Sequence, residues 1–229
     1  MFGRWPRRPD LDELMDQPGL SRSEHRKALV FLGRLNRWTL SRRWIASRAL
    51  PGRVLDVATG GADIPAYLHR RGVARVAVGI DRSASALEAA RELSPGVLLV
   101  RGDALRLPFA DGSFDTAVAH LFFHHLGEDE CGTLLREMAR VARRVVVADL
   151  ERSRVLYAVV GFLTWWSGNR LSRQDGLVSV RRSFTPSEAL RLSRSVLPGA
   201  RLEHLGPYRW GLLYDDPLRA SPGPRSPAS

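Results

Sequence analysis

The sequence predicts an α/β fold built on a mostly parallel sheet, and three observations favour it. Apolar runs typical of buried strands occur at residues 54–57, 76–80 and 97–100. Helix-forming stretches follow the first two runs, and the second of these stretches begins at Ser83 and extends to Leu93. With 229 residues and 44% hydrophobic content, the chain can bury the core of one large domain. Alternating strands and helices of this length imply right-handed crossovers between parallel strands.

A small, glycine-rich turn follows the first strand. Residues 59–63 include Gly60 and Gly61, and a helix to about Arg71 is expected after them. In open parallel sheets, ligands bind beyond the carboxyl ends of the strands, where helix N-termini also converge. We therefore expect the ligand crevice at this turn.

Each of the three strands ends near a carboxylate, namely Asp56, Asp81 and Asp103. Asp81 lies 20 residues after Gly61 (81 − 61), a spacing that suits an acidic side chain for hydrogen bonds from a ribose diol. Because the carboxyl ends of parallel strands share one edge of the sheet, the three side chains predict a nucleoside pocket with an acidic rim.

These segments resemble the successive motifs of class I S-adenosylmethionine-dependent methyltransferases. The resemblance is strong over about residues 53–150 and weaker as far as about Tyr214. It implies a Rossmann-like sheet of seven strands, mostly parallel with an antiparallel last strand. Here the closing hairpin would be residues 201–205 and 209–214.

Three further segments narrow the resemblance to a group within that family. They are the pair His124 and His125, residues 143–152 and residues 175–186. They are similar to small bacterial enzymes related to quinone methyltransferases and often tied to polyketide or quinone tailoring. This group methylates small, largely apolar acceptors.

The resemblance also implies the cofactor S-adenosylmethionine and the residues that contact it. Asp81 would hold the ribose, Asp103 with Ala104 would meet the adenine, and Gly60 with Asp56 and His120 would meet the methionine end. The full set of expected cofactor-binding residues is Asp56, Ala58, Thr59, Gly60, Asp81, Arg82, Asp103, Ala104, His120 and Leu121.

The glycine turn departs from the Gly-x-Gly-x-Gly pattern of the family. Ala58 and Ala62 replace the first and third glycines. Gly60 is then the residue that must let the backbone approach the ligand, because alanine does not readily adopt a positive φ.

The catalytic candidates are two adjacent histidines, His124 and His125, which follow the fourth strand at residues 114–120. Imidazole titrates near neutrality, so a histidine beside a reacting hydroxyl can take its proton. We expect His124 to face the rim of the pocket as general base and His125 to be more structural, with a hydrogen-bonded structural role as the alternative. No metal site is expected, because no helical His-x-x-x-His or cysteine set is present.

Residues 153–182 are expected as an insertion over the acceptor pocket. Within them, residues 155–166 predict an apolar helix too short to span a bilayer. The helix either lines the acceptor pocket, packs in the core or touches a membrane interface. Residues 167–182 are polar and predict a loop, from which Asp175, Ser179 and Arg182 could reach the acceptor.

Flanking segments complete the predicted organisation. Residues 1–50 are expected as an N-terminal arm and helical lid before a domain at 51–216, with residues 1–9 loose and Trp38 in an amphipathic helix. This appendage either covers the crevice or packs on the sheet edge. A complete capping box at Thr185 and Glu188 predicts a helix start. Residues 217–229 are expected to be disordered.

Composition limits the partners. The net charge of +11 favours anionic partners, but arginine is scattered through every segment, which is typical of solvated surface. The single Cys131 excludes an internal disulfide framework, and no targeting segment is evident, so a cytoplasmic location is expected.

The favoured function is methyl transfer from S-adenosylmethionine to the hydroxyl of a phenolic, quinol or polyketide-type metabolite. C-methylation of a quinone precursor, methylation of RNA and a non-catalytic nucleotide-binding module are the alternatives. A nicotinamide-dependent reductase is disfavoured, because the Gly-x-Gly-x-x-Gly pattern is absent. We expect no nucleic-acid partner, and contact with a membrane surface is compatible with the sequence.

Overall fold

The computed structural model describes residues 5–11, 13, 30, 40–166 and 170–219. Trp38, most of the amphipathic helix predicted around it and the tail after Arg219 lie outside the described residues.

Seven strands form one sheet in the order β3-β2-β1-β4-β5-β7-β6. They are β1 (Gly52–Val57), β2 (Ala74–Asp81), β3 (Leu98–Arg101), β4 (Phe114–His120), β5 (Ala142–Leu150), β6 (Arg201–His204) and β7 (Arg209–Asp215). Strands β1 to β5 are parallel, and β7 is antiparallel to both β5 and β6. The predicted fold class is confirmed, including the closing hairpin.

Helices cover both faces of the sheet. They are α1 (Ser41–Arg48), α2 (Asp63–Arg70), α3 (Ala84–Leu93), α4 (Glu128–Val141), α5 (Arg154–Trp166), α6 (Arg170–Arg182) and α7 (Pro186–Val196), with a short 3₁₀ turn at Phe123–His125. Among the described residues, every helix is too short or too polar to cross a lipid bilayer.

The core divides into two clusters, one on each face. Leu55 and Val57 of β1 pack on the face that α4 covers, and Val54 packs on the opposite face with Ile45 of α1 and Leu68 of α2. Alternate residues of one strand point to opposite faces, and both faces are buried, so the strands are apolar throughout.

The predicted helix starts are confirmed at α3 and α7. The Ser83 hydroxyl accepts a hydrogen bond from the Ala86 amide at 3.2 Å. At α7, Thr185 and Glu188 form the reciprocal capping box that the sequence predicts. The single cysteine, Cys131, is buried in α4.

The prediction of a loop at residues 167–182 is wrong for residues 170–182, which form α6. Tertiary packing overrides the polar composition here, because α6 pairs with the apolar α5. A methyl group on Gly176 would lie 3.0 Å from a side-chain carbon of Val160, so the two helices approach closely.

The prediction of a loose arm at residues 1–9 is wrong for residues 5–9. The Arg8 amide donates to the carbonyl of Arg181 at 3.1 Å, and Arg152 donates to the carbonyl of Trp5 at 2.9 Å. The Trp5 ring also meets Tyr157 edge to face at 5.4 Å. These contacts fix the start of the described chain across α5 and α6, where it can contribute to a site.

Candidate active site

The turn after β1 keeps its shape without two of its expected glycines. Ala58, Gly60 and Ala62 have φ of 56°, 51° and 56°. The Thr59 amide donates to the carbonyl of Ile80 at 3.0 Å, and the Ala62 amide donates to the carbonyl of Thr59 at 2.8 Å. Both alanines therefore hold the left-handed conformation that glycine adopts at little cost.

Asp81 joins this turn to the end of β2. Its carboxylate accepts a hydrogen bond from the Gly60 amide at 2.9 Å and another from the Ser83 amide at 2.9 Å. A carboxylate offers about four acceptor sites, so both oxygens retain capacity for further donors. The carboxylate is thus oriented by backbone amides before any ligand arrives.

Asp103 lies beyond the end of the neighbouring strand. Asp81 pairs with Arg101 in the register of β2 and β3, and Asp103 follows two residues later. Its carboxylate is exposed and accepts from the Leu105 amide at 2.9 Å, while Ala104 is half-buried. The nearby Arg82 is exposed, and its carbonyl accepts from Arg101.

The pKa values of two groups at the ends of β1 and β4, the buried Asp56 and the half-buried His120, are shifted toward the neutral form. Burial, assisted by the charges of Asp63 and Asp81 and opposed by the hydrogen bond from Thr59, raises the pKa of Asp56 to about 8. Burial lowers the pKa of His120 to about 3, with help from the charge of Arg209. The Nε2 atom of His120 is buried and has no hydrogen-bond partner in the described part of the chain.

Two other predicted cofactor residues flank these groups. The Thr59 hydroxyl donates to Asp56 at 2.6 Å, and its side chain fills the space beside Gly79, where a methyl group would lie only 2.8 Å from it. Leu121 has a φ of 55°, and its amide donates to the carbonyl of Ala148 at 2.9 Å. Any contact of Thr59 with a ligand would come from its backbone, because its side chain is committed.

The expectation that His124 faces the rim is wrong. His124 is 2% exposed, and both its amide and its Nδ1 atom bond to Asp149, at 2.9 and 2.7 Å. Asp149 ends β5 and is itself 1% exposed, so it draws the imidazole into the interior. His125 is the more exposed of the pair, with 22% of its side chain accessible.

The sequence analysis missed Glu13, which meets both histidines. Its carboxylate oxygens lie 3.6 Å from Nε2 of His124 and 3.7 Å from Nε2 of His125. Glu13 is 5% exposed and accepts a hydrogen bond from Ser179 at 2.7 Å. It lies far upstream of the histidines in the chain, in a segment whose pattern carried no signal of a site.

Glu13, His124, His125 and Asp149 form one histidine and carboxylate cluster, and their charges stabilise one another. Burial alone would lower the pKa of His124, but the carboxylates of Asp149 and Glu13 outweigh it and raise that pKa to about 10. Burial works to raise the pKa values of both acids, yet both are lowered, chiefly by His124 and, for Glu13, also by His125. At neutral pH the cluster therefore holds a His124 cation between two carboxylates.

Glu13, His124 and His125 also have the donor types that bind a divalent cation. Their ligand atoms lie within 4.8 Å of one another. Among the described residues, these three form the group that could hold such a cation. A cation would have to displace the proton of His124, because a protonated imidazole nitrogen cannot ligate a metal.

Three arginines hold the backbone around the cluster. Arg7 donates to the carbonyl of Leu126 at 2.6 Å, and Arg182 donates to the carbonyl of His125 at 2.6 Å. Arg152 donates to the carbonyl of Ser183 at 2.8 Å. Arg182, which was expected to reach the acceptor, is 8% exposed and donates its hydrogen bonds to backbone carbonyls. Asp175, for which the same was expected, is 6% exposed.

Comparison with known proteins identifies the family. A family model described as a methyltransferase domain matches residues 54–144. A phosphatidylethanolamine N-methyltransferase of Cereibacter sphaeroides is 36% identical over 159 residues, which are 64% of this chain and 75% of that protein. The chain belongs to the class I S-adenosylmethionine-dependent methyltransferases.

Two further comparisons give a similar sequence and a similar fold. A demethylmenaquinone methyltransferase of Beutenbergia cavernae is 35% identical over 155 residues, 66% of this chain, and the chain spans only 57% of that relative's length. The fold matches that of a SAM-dependent methyltransferase from Aquifex aeolicus, with a TM-score of 0.60 and 17% identity, covering 86% of this chain and 98% of that one.

The residues at the strand ends fit the cofactor of this family. Asp81 offers acceptors for a ribose diol, and the turn after β1 presents small residues that let a ligand come close. The unpartnered Nε2 of His120 at the end of β4 is a buried polar atom that a bound molecule could satisfy. The departures at Ala58 and Ala62 leave this arrangement intact.

Proposed function

We propose that this methyltransferase transfers the methyl group of S-adenosylmethionine to a small, largely apolar quinol or phenol. The observation that carries the proposal is a histidine and carboxylate cluster beside the cofactor crevice, since β4 ends at His120 and His124, the first histidine of the cluster, follows four residues later. The names of several relatives, which describe menaquinone enzymes, support the acceptor class.

In this proposal the cofactor residues have the roles that the family resemblance implies. Asp81 would bind the ribose, Asp103 and Ala104 the adenine, and Gly60, Asp56 and His120 the methionine end. When bound, S-adenosylmethionine supplies an electrophilic methyl group on a sulfonium. The protein has then to align the acceptor and remove one proton, and alignment alone can supply about 7–11 kcal/mol of the barrier.

We assign the general base to His125 instead of His124. A general base must be unprotonated before it acts, and the two carboxylates that flank His124 favour its protonated form at neutral pH. His125 is partly exposed, and Glu13 lies 3.7 Å from its Nε2 atom. Glu13 stabilises the imidazolium that forms when His125 takes the acceptor's proton, while Asp149 and His124 hold Glu13 in place.

The same base serves carbon and oxygen methylation. A deprotonated quinol carries negative charge on its oxygen and on the neighbouring ring carbon, so either atom can attack the methyl group. A relative from Desulfotalea psychrophila is named as a quinone C-methyltransferase, which favours the ring carbon.

A phospholipid amine is the second candidate acceptor. It is favoured by the Cereibacter sphaeroides relative, of which this chain covers 75%. An ammonium group must also lose a proton before it attacks, so the assignment of His125 holds for this acceptor too.

The decisive experiment is a transfer assay with deuterium-labelled S-adenosylmethionine and three acceptors. These are a reduced naphthoquinone with an open ring carbon, an alkylresorcinol, and phosphatidylethanolamine in detergent. We expect label on the first or second, and nuclear magnetic resonance of the product assigns it to carbon or oxygen. Label on phosphatidylethanolamine alone would replace the quinol proposal by the amine one.

Cofactor binding is measured separately by calorimetric titration with S-adenosylhomocysteine. Binding without transfer to any of the three acceptors would contradict the acceptor class and leave the cofactor assignment standing. Absence of binding would contradict the function itself.

A further inference from the structure

A second pocket, of about 580 Å³, lies in the groove between α1 and α2. Its lining includes Arg42, Arg43 and Arg71, together with Tyr67 and Ser47. Its volume falls in the range of pockets that hold small organic ligands. It is separate from the histidine cluster, with which it shares no residue.

The charge of this arginine pocket is unbalanced. Within the described part of the chain, its lining includes no acidic residue and none of its three guanidinium groups has an ion pair. Some arginines elsewhere on the same molecule are paired, as Arg48 is with Glu203 and Arg144 with Asp215. Three neighbouring cations without a counter-charge repel one another, and a bound anion would relieve that repulsion.

Arg42 carries a donor that lacks an acceptor. Its guanidinium lies 4.6 Å from the centre of the Tyr67 ring, and its Nε atom is buried without a hydrogen-bond partner. Buried donors are nearly always satisfied, so an unmet one in a pocket points to a missing ligand. The stacking on Tyr67 fixes the guanidinium in place for that ligand.

The start of α1 adds to the positive field. Its first turn contains Arg42 and Arg43 and no acidic residue, and Leu40 at the N-cap offers no side-chain bond. A helix N-terminus is the positive end of the helix dipole and disfavours cations. Two arginines at this position are unfavourable unless an anion accompanies them.

We propose that the arginine pocket between α1 and α2 binds a phosphate group. Phosphate suits it better than a carboxylate, since its oxygens can accept from several guanidinium forks at once. The pocket is larger than phosphate alone and leaves room for an organic substituent, such as the glycerol of a phospholipid headgroup. The phosphate comes either from an anionic lipid or from a free phosphorylated metabolite.

The test measures binding of two probes to the full chain. Calorimetry with inorganic phosphate reports the site itself. Flotation with two separate kinds of vesicle, one of anionic phosphatidylglycerol and one of neutral phosphatidylcholine, reports the lipid source. Arg42→Gln and the double variant Arg43→Gln/Arg71→Gln should each weaken phosphate binding about tenfold or more, as expected for loss of a charge-assisted hydrogen bond. Arg91→Gln is the matched control, because it removes an equal charge from the exposed surface of α3.

Each outcome decides the matter. Phosphate binding that Arg42→Gln weakens and Arg91→Gln does not supports the pocket, and parallel loss of flotation identifies the lipid as the source. Phosphate binding with no difference in flotation between the two kinds of vesicle supports the pocket with a soluble ligand. Absence of phosphate binding, or equal weakening by Arg91→Gln, would overturn the proposal. Circular dichroism of each variant confirms that it is folded.

Discussion

The two halves of the proposed active site are built differently. On the cofactor side, Asp56, Asp81 and Asp103 each follow their own strand, and bonds to neighbouring backbone amides or hydroxyls fix them. On the proposed acceptor side, Glu13 reaches His124 from far upstream in the chain and Asp149 from 25 residues downstream. The first half depends on local turns, and the second depends on the whole tertiary structure.

This difference predicts how each half responds to substitution. A change at a strand end on the cofactor side should alter ligand affinity with little effect on folding. A change in the acceptor cluster should alter stability as well, because its charges are buried and paired. His125 is the exception, since it is the partly exposed member of the cluster.

His125→Ala is expected to have the largest effect. Loss of a general base lowers turnover by about 10²–10⁴-fold, while affinity for S-adenosylhomocysteine and the melting temperature stay near those of the parent protein. Turnover with the accepted quinol or phenol measures this, with His204→Ala on β6 as the control. Unchanged turnover would remove His125 from the mechanism.

Asp149→Ala should destabilise the fold. Removing one partner of a buried ion pair leaves the His124 charge uncompensated on that side, which costs about 3–5 kcal/mol of unfolding free energy. Urea unfolding measures the loss. The control is Asp111→Ala, whose carboxylate is 66% exposed and pairs with Arg140, so its loss should cost at most about 1 kcal/mol. Equal effects in the two variants would show that the buried cluster is not held by charge.

Asp81→Ala tests the cofactor half. Loss of hydrogen bonds from a ribose diol to a charged acceptor should weaken S-adenosylhomocysteine binding by about 10–100-fold. Part of this loss comes from the Gly60 amide, which loses its acceptor as well. Ser94→Ala, on the far side of the same turn, serves as the control, because its hydroxyl bonds to the carbonyl of Gly61. Calorimetry that finds unaltered affinity in Asp81→Ala would contradict the ribose assignment.

The two halves should contribute equally to a loss of stability above neutral pH. Asp56 has a folded pKa of about 8, above its ordinary value of 3.8. Because the unfolded chain ionises this group first, the unfolding free energy falls as pH rises from about 4 toward 8. His124 has a folded pKa of about 10, above its ordinary value of 6.5, so its stabilisation is complete below pH 6.5 and is lost as pH rises toward 10. Between pH 7 and 8, each group lowers the unfolding free energy by about 1 kcal/mol, because neither differs by a whole proton between the folded and unfolded states over this range.

Asp56→Asn should therefore remove about half of that slope. The asparagine keeps an acceptor for the Thr59 hydroxyl but cannot ionise. Denaturant unfolding at pH 7.0, 7.5 and 8.0 measures the slope in both proteins. A slope that Asp56→Asn leaves unchanged would show that this acid is not held neutral in the folded chain.

The contrast between the halves also explains what could be predicted from the sequence. Strand ends, helix caps and the mostly parallel sheet of seven strands with its closing hairpin follow from local patterns and from the family resemblance, and the structure confirms them. The orientation of His124 did not follow, because it depends on Asp149, which lies 25 residues away. Neither did the position of Glu13, because it is set by contacts with His124, His125 and Ser179, which lie more than 100 residues away in the chain. Helix α6 was missed for a related reason, since its partner α5 and not its own composition stabilises it.

The smallest expected effects lie in the turn itself, at Ala58 and Ala62. A left-handed conformation costs alanine about 1–2 kcal/mol relative to glycine. A glycine at the same position has more conformational freedom in the unfolded chain, which lowers the unfolding free energy by about 0.4–1 kcal/mol relative to alanine. Ala62 is fully buried, so Ala62→Gly also loses the burial of a methyl group, about 0.8 kcal/mol, and should be close to neutral.

Ala58 is only half-buried, so its methyl group contributes less to the core. Ala58→Gly should therefore raise the unfolding free energy by a few tenths to about 1 kcal/mol, and urea unfolding can measure this difference between the two variants. If both variants instead lost more than about 1 kcal/mol, the two methyl groups would be packing elements whose contacts outweigh the backbone strain. If only Ala58→Gly gained, the alanines would be tolerated replacements in a turn whose shape is imposed by the hydrogen bonds of Thr59 and Asp81.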